Sequence, residues 1–275
     1  MNPHAIPSGS PLAALRSLRS NKDLIVNLIS REVIGRYRGS FMGLLWSFFN
    51  PVLMLAVYTF VFSVVFKTRW AGASDSRAEF ALVLFAGLMC FNFFAECVNR
   101  APSLILSNAN YVKKVIFPLE VLPVVALGSA AFHFCVSMSV WMIFYLIFLG
   151  IPHVTVLLAP IALIPLVLFT LGCVWILSAL GVYLRDVSQF IGIAVSMLMF
   201  LSPIFYPVSA LPERYRGIIA LSPLTFIIEQ IRNSLIWGNG IDWRLWAMWT
   251  AATALVAVVG FASFQKSRRG FADVI

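Results

Sequence analysis

The sequence predicts an all-α integral membrane protein. It would have six transmembrane helices, an N-terminal amphipathic interfacial helix, and re-entrant helices on the outer side before the last span. Three observations carry this prediction. Hydrophobic residues make up 61% of the 275 and charged residues only 11%, so lipid must be the solvent for most of the surface. Six stretches are long and apolar. After the fifth come Pro203, Pro207, Pro212 and Pro223. Broken backbone survives at membrane depth only inside protein or along a cavity, so these prolines point to a pathway rather than a plain anchor.

A spanning helix needs about 20 mostly apolar residues. The stretches run Phe41–Phe66, Phe80–Val98, Val121–Leu149, Val154–Leu184, Phe190–Tyr206 and Trp243–Phe264. Residues 1–40 precede them, residues 266–275 follow, and little chain is left for a separate soluble domain. With the N-terminus cytoplasmic, 13 of the 20 Lys and Arg fall in the inner segments and seven, Arg232 among them, in the outer ones, which predicts both ends inside. The formal charge of +9 is this bias and not a nucleic-acid footprint. No apolar core with a small-residue cleavage site stands in about the first 40 residues, so no cleavable signal peptide is expected. Cys90, Cys97, Cys135 and Cys173 lie within spans without metal spacing and read as small buried hydrophobes.

Residues 1–9 read as disordered. Ser10-Pro11 is a helix start, with Ser as N-cap and Pro at the first helical position. Asn21 can cap a second segment that places Ile25, Leu28 and Ile29 on one face, with Arg31, Glu32 and Arg36 nearby. Such a basic amphipathic helix lies in the interface, apolar side down. It serves either as an anchor or also as a dock for a cytoplasmic partner. The first span carries Pro51, a kink site, and Gly39 and Gly43 near its start would allow close backbone approach.

The segment from Asn99 to Pro123 is longer than a connector needs. It holds a short apolar helix, a polar tip and Lys113-Lys114, and reads as an interfacial segment or a docking element. Gly128, Ser129, Ala130 and Ala131 offer a small-residue packing surface. His133 and Glu96 are ionisable groups within spans. Both read as hydrogen-bonded structure, with Arg100, one turn from Glu96, as its expected partner. The fifth span has about 13 residues before Pro203, or about 20 Å, short of the roughly 30 Å hydrocarbon core. Glu213, Arg214 and Arg216 then want water, and residues 224–237 are again apolar. The economical reading is a re-entrant pair of helices.

The chain has no G-x-x-x-x-G-K-[ST] loop, so it does not hydrolyse ATP itself. No HExxH, acidic pair or Ser/His/Asp set stands out, and no metal site is expected. A membrane glycosyl- or phosphotransferase would need carboxylates or His grouped at the cytoplasmic face. A passive channel would leave the Asn99–Pro123 segment without a task.

Three separate motifs carry a resemblance. GRYRGSFMGLLWSFFNP, from Gly35 to Pro51, is similar to the start of span one in type-2 ABC exporter permeases. The KKVIFPLEVLP run from Lys113 to Pro123 resembles their first cytoplasmic loop. Ser202-Pro203-Ile204-Phe205-Tyr206-Pro207 and Leu221-Ser222-Pro223-Leu224 resemble their last outer region. The nearest branch is the one exporting O-antigen and capsule polysaccharide, although Ser222 departs from the Asn found before that Pro in many members.

The resemblance implies a permease subunit of the bacterial inner membrane. It would work as a homodimer with two copies of a cytoplasmic ATPase, which holds the ATP and Mg. The cargo would be a lipid-linked glycan on undecaprenyl diphosphate; drugs, capsule, teichoic acid or another lipid are alternative cargoes. The coupling loop would span about 99–120, with Ser103, Leu106, Asn108, Asn110, Lys113 and Lys114 against the ATPase. The periplasmic gate would span about 207–236. A diphosphate favours Arg at the entrance, where Arg36, Arg38 and Arg100 stand, with positive-inside anchoring as the competing role. Tyr58, Phe62, Phe200, Phe205 and Tyr206, with Pro207 and Pro223, are channel or gate candidates, against the reading that such aromatics face lipid or form interfacial belts.

Overall fold

The computed structural model describes residues 10–61, 77–112 and 117–275. Phe62, Lys113 and Lys114 lie outside the described residues, as does the 1–9 segment. The fold is all-helical, with no strand among the described residues. Two helices come first, α1 (Pro11–Ser20) and α2 (Lys22–Tyr37). They are followed by α3 (Trp46–Tyr58), α4 (Arg77–Leu104), the short α5 (Ala109–Val112) and α6 (Val121–Phe148). Next are α7 (Ala159–Ala162), α8 (Ile164–Tyr183), α9 (Val187–Leu201) and α10 (Glu213–Ala220). The chain closes with α11 (Pro223–Leu235), α12 (Trp243–Ser267) and α13 (Phe271–Val274).

Five segments are long and apolar enough to cross a membrane: Gly43–Val61, Ala78–Leu104, Val121–Phe148, Val154–Tyr183 and Trp243–Val274. The protein is therefore a multi-pass membrane protein. The fifth expected span, Phe190–Tyr206, is the shorter α9 of 15 residues, about 22 Å long, which stops at Leu201. Ser202-Pro203 turns the chain out of helical geometry there, with Ser202 extended at ψ 146°.

The start of α1 follows its sequence signal. The Ser10 hydroxyl accepts from the Ala13 amide at 3.2 Å and Pro11 opens the helix. Its apolar edge, Leu12 and Leu15, is exposed. The apolar face of α2 differs from the reading in having a protein partner: Ile25 and Leu28 cluster with Val121 and Val125 of α6. One turn on, Ile29 fills the space over Gly128, where an added Cβ would meet its Cδ1 at 2.2 Å. A helix face that finds a complementary protein groove packs there because contact atoms outnumber those that mobile lipid offers. Gly39 (φ 86°) and Gly43 (φ 51°) also differ. Nothing lies within 4 Å of a Cβ built on either, so they provide left-handed turns between α2 and α3 and not close approach.

The most buried span is α4, which packs against α3, α6, α8, α9 and α11. On its far side α8 and α12 meet backbone to backbone. A Cβ on Gly172 would stand 2.7 Å from the Val256 carbonyl, and one on Gly260 would stand 2.4 Å from the Gly172 oxygen. Small residues at such a crossing let dispersion contacts form along the whole interface. Of the cysteines, Cys90 and Cys97 are buried as expected, while Cys135 is exposed.

Candidate functional site

Towards the inner end of α4, charged side chains from three helices converge. Arg36 at the end of α2 places Nη1 2.7 Å from Glu96 Oε1 on α4. His133 on α6 puts Nδ1 3.0 Å from the same carboxylate, and its Nε2 lies 3.1 Å from the Tyr37 hydroxyl. Arg36 Nη1 also lies 3.0 Å from His133 Nδ1, so Arg36 and Glu96 meet at the same ring nitrogen while Tyr37 meets the other. Burial is the main cause that pushes the Tyr37 phenol above its ordinary pKa, which keeps it a donor. Arg100 sits 2.7 Å from Glu32 and 4.0 Å from Glu96. The expected Glu96–Arg100 pair is thus the weaker contact, because Arg36 and His133 reach Glu96 first. Of the three entrance cations, Arg36 and Arg100 are matched by carboxylates, and Arg38 is exposed with no ionic partner among the described residues.

Above this network lies a cleft of about 390 Å³ between α2, α3, α4 and α6. Asn50, Tyr58, Asn92 and Ser137 line it together with Phe85 and Met89. Tyr58 therefore stands apart from the other channel candidates. Phe200 and Phe205 stack at 5.8 Å at the far end of α9, and the Tyr206 hydroxyl donates back to the Phe200 and Leu201 carbonyls at 3.0 Å each. Tyr206 thus closes off the end of α9, using its polar atom on the frayed last turn. Pro207 begins an irregular stretch, and Pro223 opens α11 in the first-turn position that suits it.

The loop after α4 folds back on itself. Ser103 and Asn110 are exposed, Leu106 and Asn108 are half-buried, and Asn108 donates to the Leu104 carbonyl at 2.9 Å. Tyr111, not singled out from sequence, ties this loop to α2. Arg31 donates to its hydroxyl at 2.6 Å, and its ring stacks on Phe117 at 4.3 Å. A second tie was also missed. Glu120 accepts from Ser17 of α1 at 2.7 Å and from Arg268 after α12 at 2.6 Å. Arg268 also donates to the Phe117 carbonyl at 2.9 Å, and Trp175 to the Glu120 carbonyl at 3.3 Å. One carboxylate thereby joins both chain ends to the loop.

Near the opposite end of α4, α11 is largely buried and carries Arg232, which is fully buried. Sequence reading counted Arg232 as an outer-loop charge; the structure corrects this. Its guanidinium donates to the carbonyls of Val83 (3.0 Å), Pro203 (2.6 Å) and Ile204 (2.8 Å) and pairs with Glu229 at 3.3 Å. The broken backbone after α9 exposes carbonyls that only a multi-donor side chain can satisfy at once. Gly87 makes room, since a Cβ there would lie 2.6 Å from Arg232 Nη2. Arg216 works similarly at the surface, on the Leu211 and Ser209 carbonyls. Among the described residues no group of three metal-ligating side chains exists.

The profile described as ABC-2 type transporter matches residues 23–236, most of the chain. The chain belongs to the ABC-2 type transporter family. This ABC-2 chain is 30% identical over 216 residues to an O-antigen export system permease protein, RfbA, of Myxococcus xanthus, covering 78% of the chain and 80% of the relative. It is 28% identical over 254 residues to an RfbA of Klebsiella pneumoniae, covering 92% and 95%. The polysialic acid transport protein KpsM of Escherichia coli is 22% identical over 216 residues, covering 77% and 80%.

Proposed function

We propose that this chain is the membrane permease of an ATP-driven exporter that moves a lipid-linked polysaccharide of O-antigen type out of the bacterial cytoplasm. The observation that carries the reading is the similarity to O-antigen export permeases along nearly the whole chain. A homodimer in the inner membrane, with both termini cytoplasmic, six crossings and α10–α11 re-entrant, is the arrangement we favour. The shortness of α9 and the burial of α11 support it.

The chain lacks a phosphate-binding loop, so a separate ABC ATPase supplies ATP hydrolysis. The exposed Ser103 and Asn110, with Leu106, Asn108, Lys113 and Lys114, form the surface on which it rests. Arg38 marks the entrance for the diphosphate end of the cargo, while Arg36 and Arg100 beside it are already matched by Glu96 and Glu32. Residues 207–236 form the outer gate, with Phe200, Phe205 and Tyr206 at its rim.

The test is depletion of this protein followed by mass spectrometry of extracted lipids. Accumulation of a long glycan on a polyprenyl diphosphate, with loss of surface polymer, is the expected result. An unchanged glycan pool would overturn the reading and leave a drug or lipid exporter in its place.

A further inference from the structure

Asn92 breaks the pattern of α4. From Phe80 through Phe94 every residue is buried except Asn92, which is exposed near the midpoint of the span Ala78–Leu104. It opens on the cleft that Asn50 and Tyr58 line from α3. None of these three side chains has a hydrogen-bond partner among the described residues. A side-chain amide offers two donors and an acceptor, and leaving it unpaired in hydrocarbon costs several kcal/mol, on the order of 2–7. Lipid tails are therefore the wrong filling for this cleft.

The floor of the cleft restricts the charge of its occupant. Arg36 is held at 2.7 Å by Glu96, which His133 also contacts at 3.0 Å, so an anion finds no unmatched cation there. The walls at Phe85 and Met89 add apolar surface. A neutral ligand with several hydroxyls and apolar C–H faces meets all of these conditions, and that is the chemistry of a sugar ring. The volume of about 390 Å³ falls in the range of small-ligand pockets, roughly 300–1,000 Å³.

The geometry points to a sugar-binding subsite in this cleft, where Asn50 and Asn92 hydrogen-bond the hydroxyls of a neutral saccharide unit and Tyr58 flanks it. The inference rests on the glycan-export reading and deepens it. It seats the sugar between α3, α4 and α6 and leaves the diphosphate elsewhere.

The experiment uses the full chain with its ATPase in cells that make the polymer. Asn50→Leu combined with Asn92→Leu should lower surface polymer roughly tenfold at wild-type membrane abundance, the loss of one or two hydrogen bonds. Asn92→Gln, which keeps the amide, should recover most of the export. Wild-type export by the double variant overturns the subsite.

Should the double variant fail to accumulate, a benzophenone amino acid at Met54, which lines the cleft, gives a second reading. Illumination should attach polysaccharide to the protein. Adducts only to lipid or to a second copy would overturn the inference. The two readings fail separately. An unchanged lipid-linked pool on depletion sinks the export reading. Normal wild-type export with no glycan adduct sinks the subsite alone.

Discussion

At the outer end of α4, the Val83 carbonyl accepts from Arg232; about 20 Å further along the helix, Glu96 pairs with Arg36 and contacts His133. Both knots join separate helices through a guanidinium. They differ in what the guanidinium holds. Arg232 is fully buried and bonded mainly to main-chain oxygens, which have no rotamers and no alternative partners. Arg36 is 40% exposed and bonded to a side chain that itself has three neighbours to choose from. The outer knot fixes backbone, and the inner one joins movable parts.

The largest effect is expected at the outer knot. Arg232→Ala leaves three buried carbonyls without their donor and should cost about 3–5 kcal/mol, read as a fall in thermal stability or loss from the membrane. Arg232→Lys should recover little, because an ammonium cannot span the three carbonyls in one plane. If the Lys variant were as stable as wild type, the multi-donor account would fail. Gly87→Ala drives a methyl into the guanidinium and should cost about 1–3 kcal/mol in the same assay.

The inner knot should respond more mildly. Glu96→Gln removes the charge but keeps an acceptor, and partial exposure discounts the loss to roughly 1–2 kcal/mol. A loss as large as that of Arg232→Ala would erase the contrast between the two ends. The smallest effect on global stability belongs to Glu120→Gln, about 1 kcal/mol. Its signature should be local: faster hydrogen exchange in α1 and around Arg268, with the spans unchanged. Equal exchange in both proteins would show that the carboxylate is not the tie.

The contrast also shows where sequence reasoning stops. The N-cap at Ser10, the limits of most spans and the truncation of the fifth were legible because each depends on local chemistry or on hydropathy summed along the chain. Three features were not. The face of α2 depends on whether a protein groove competes with lipid, and only Gly128 hinted that one would. Arg232 looked like a loop charge because nothing near it in sequence reveals the carbonyls freed at Pro203 and Ile204. Asn92 looked like one more polar residue in an apolar run, since its exposure arises from how α3 and α6 part around it. Glu96 was recognised as paired with Arg100, one turn away, while its closer partners Arg36 and His133 come from segments distant in sequence. For the candidate site residues, the partners of each side chain are set by segments distant in sequence, which motif likeness does not reveal.

The crossing of α8 and α12 has a mechanical consequence. With Gly172 and Gly260 in main-chain contact, neither helix can slide without lifting off the other, so the two act as one stiff beam. The span Gly43–Val61, by contrast, is the least buried of the five, at 11%. Relative motion among the spans would leave the beam standing still and swing the thinly held first span, as a door turns on a fixed post.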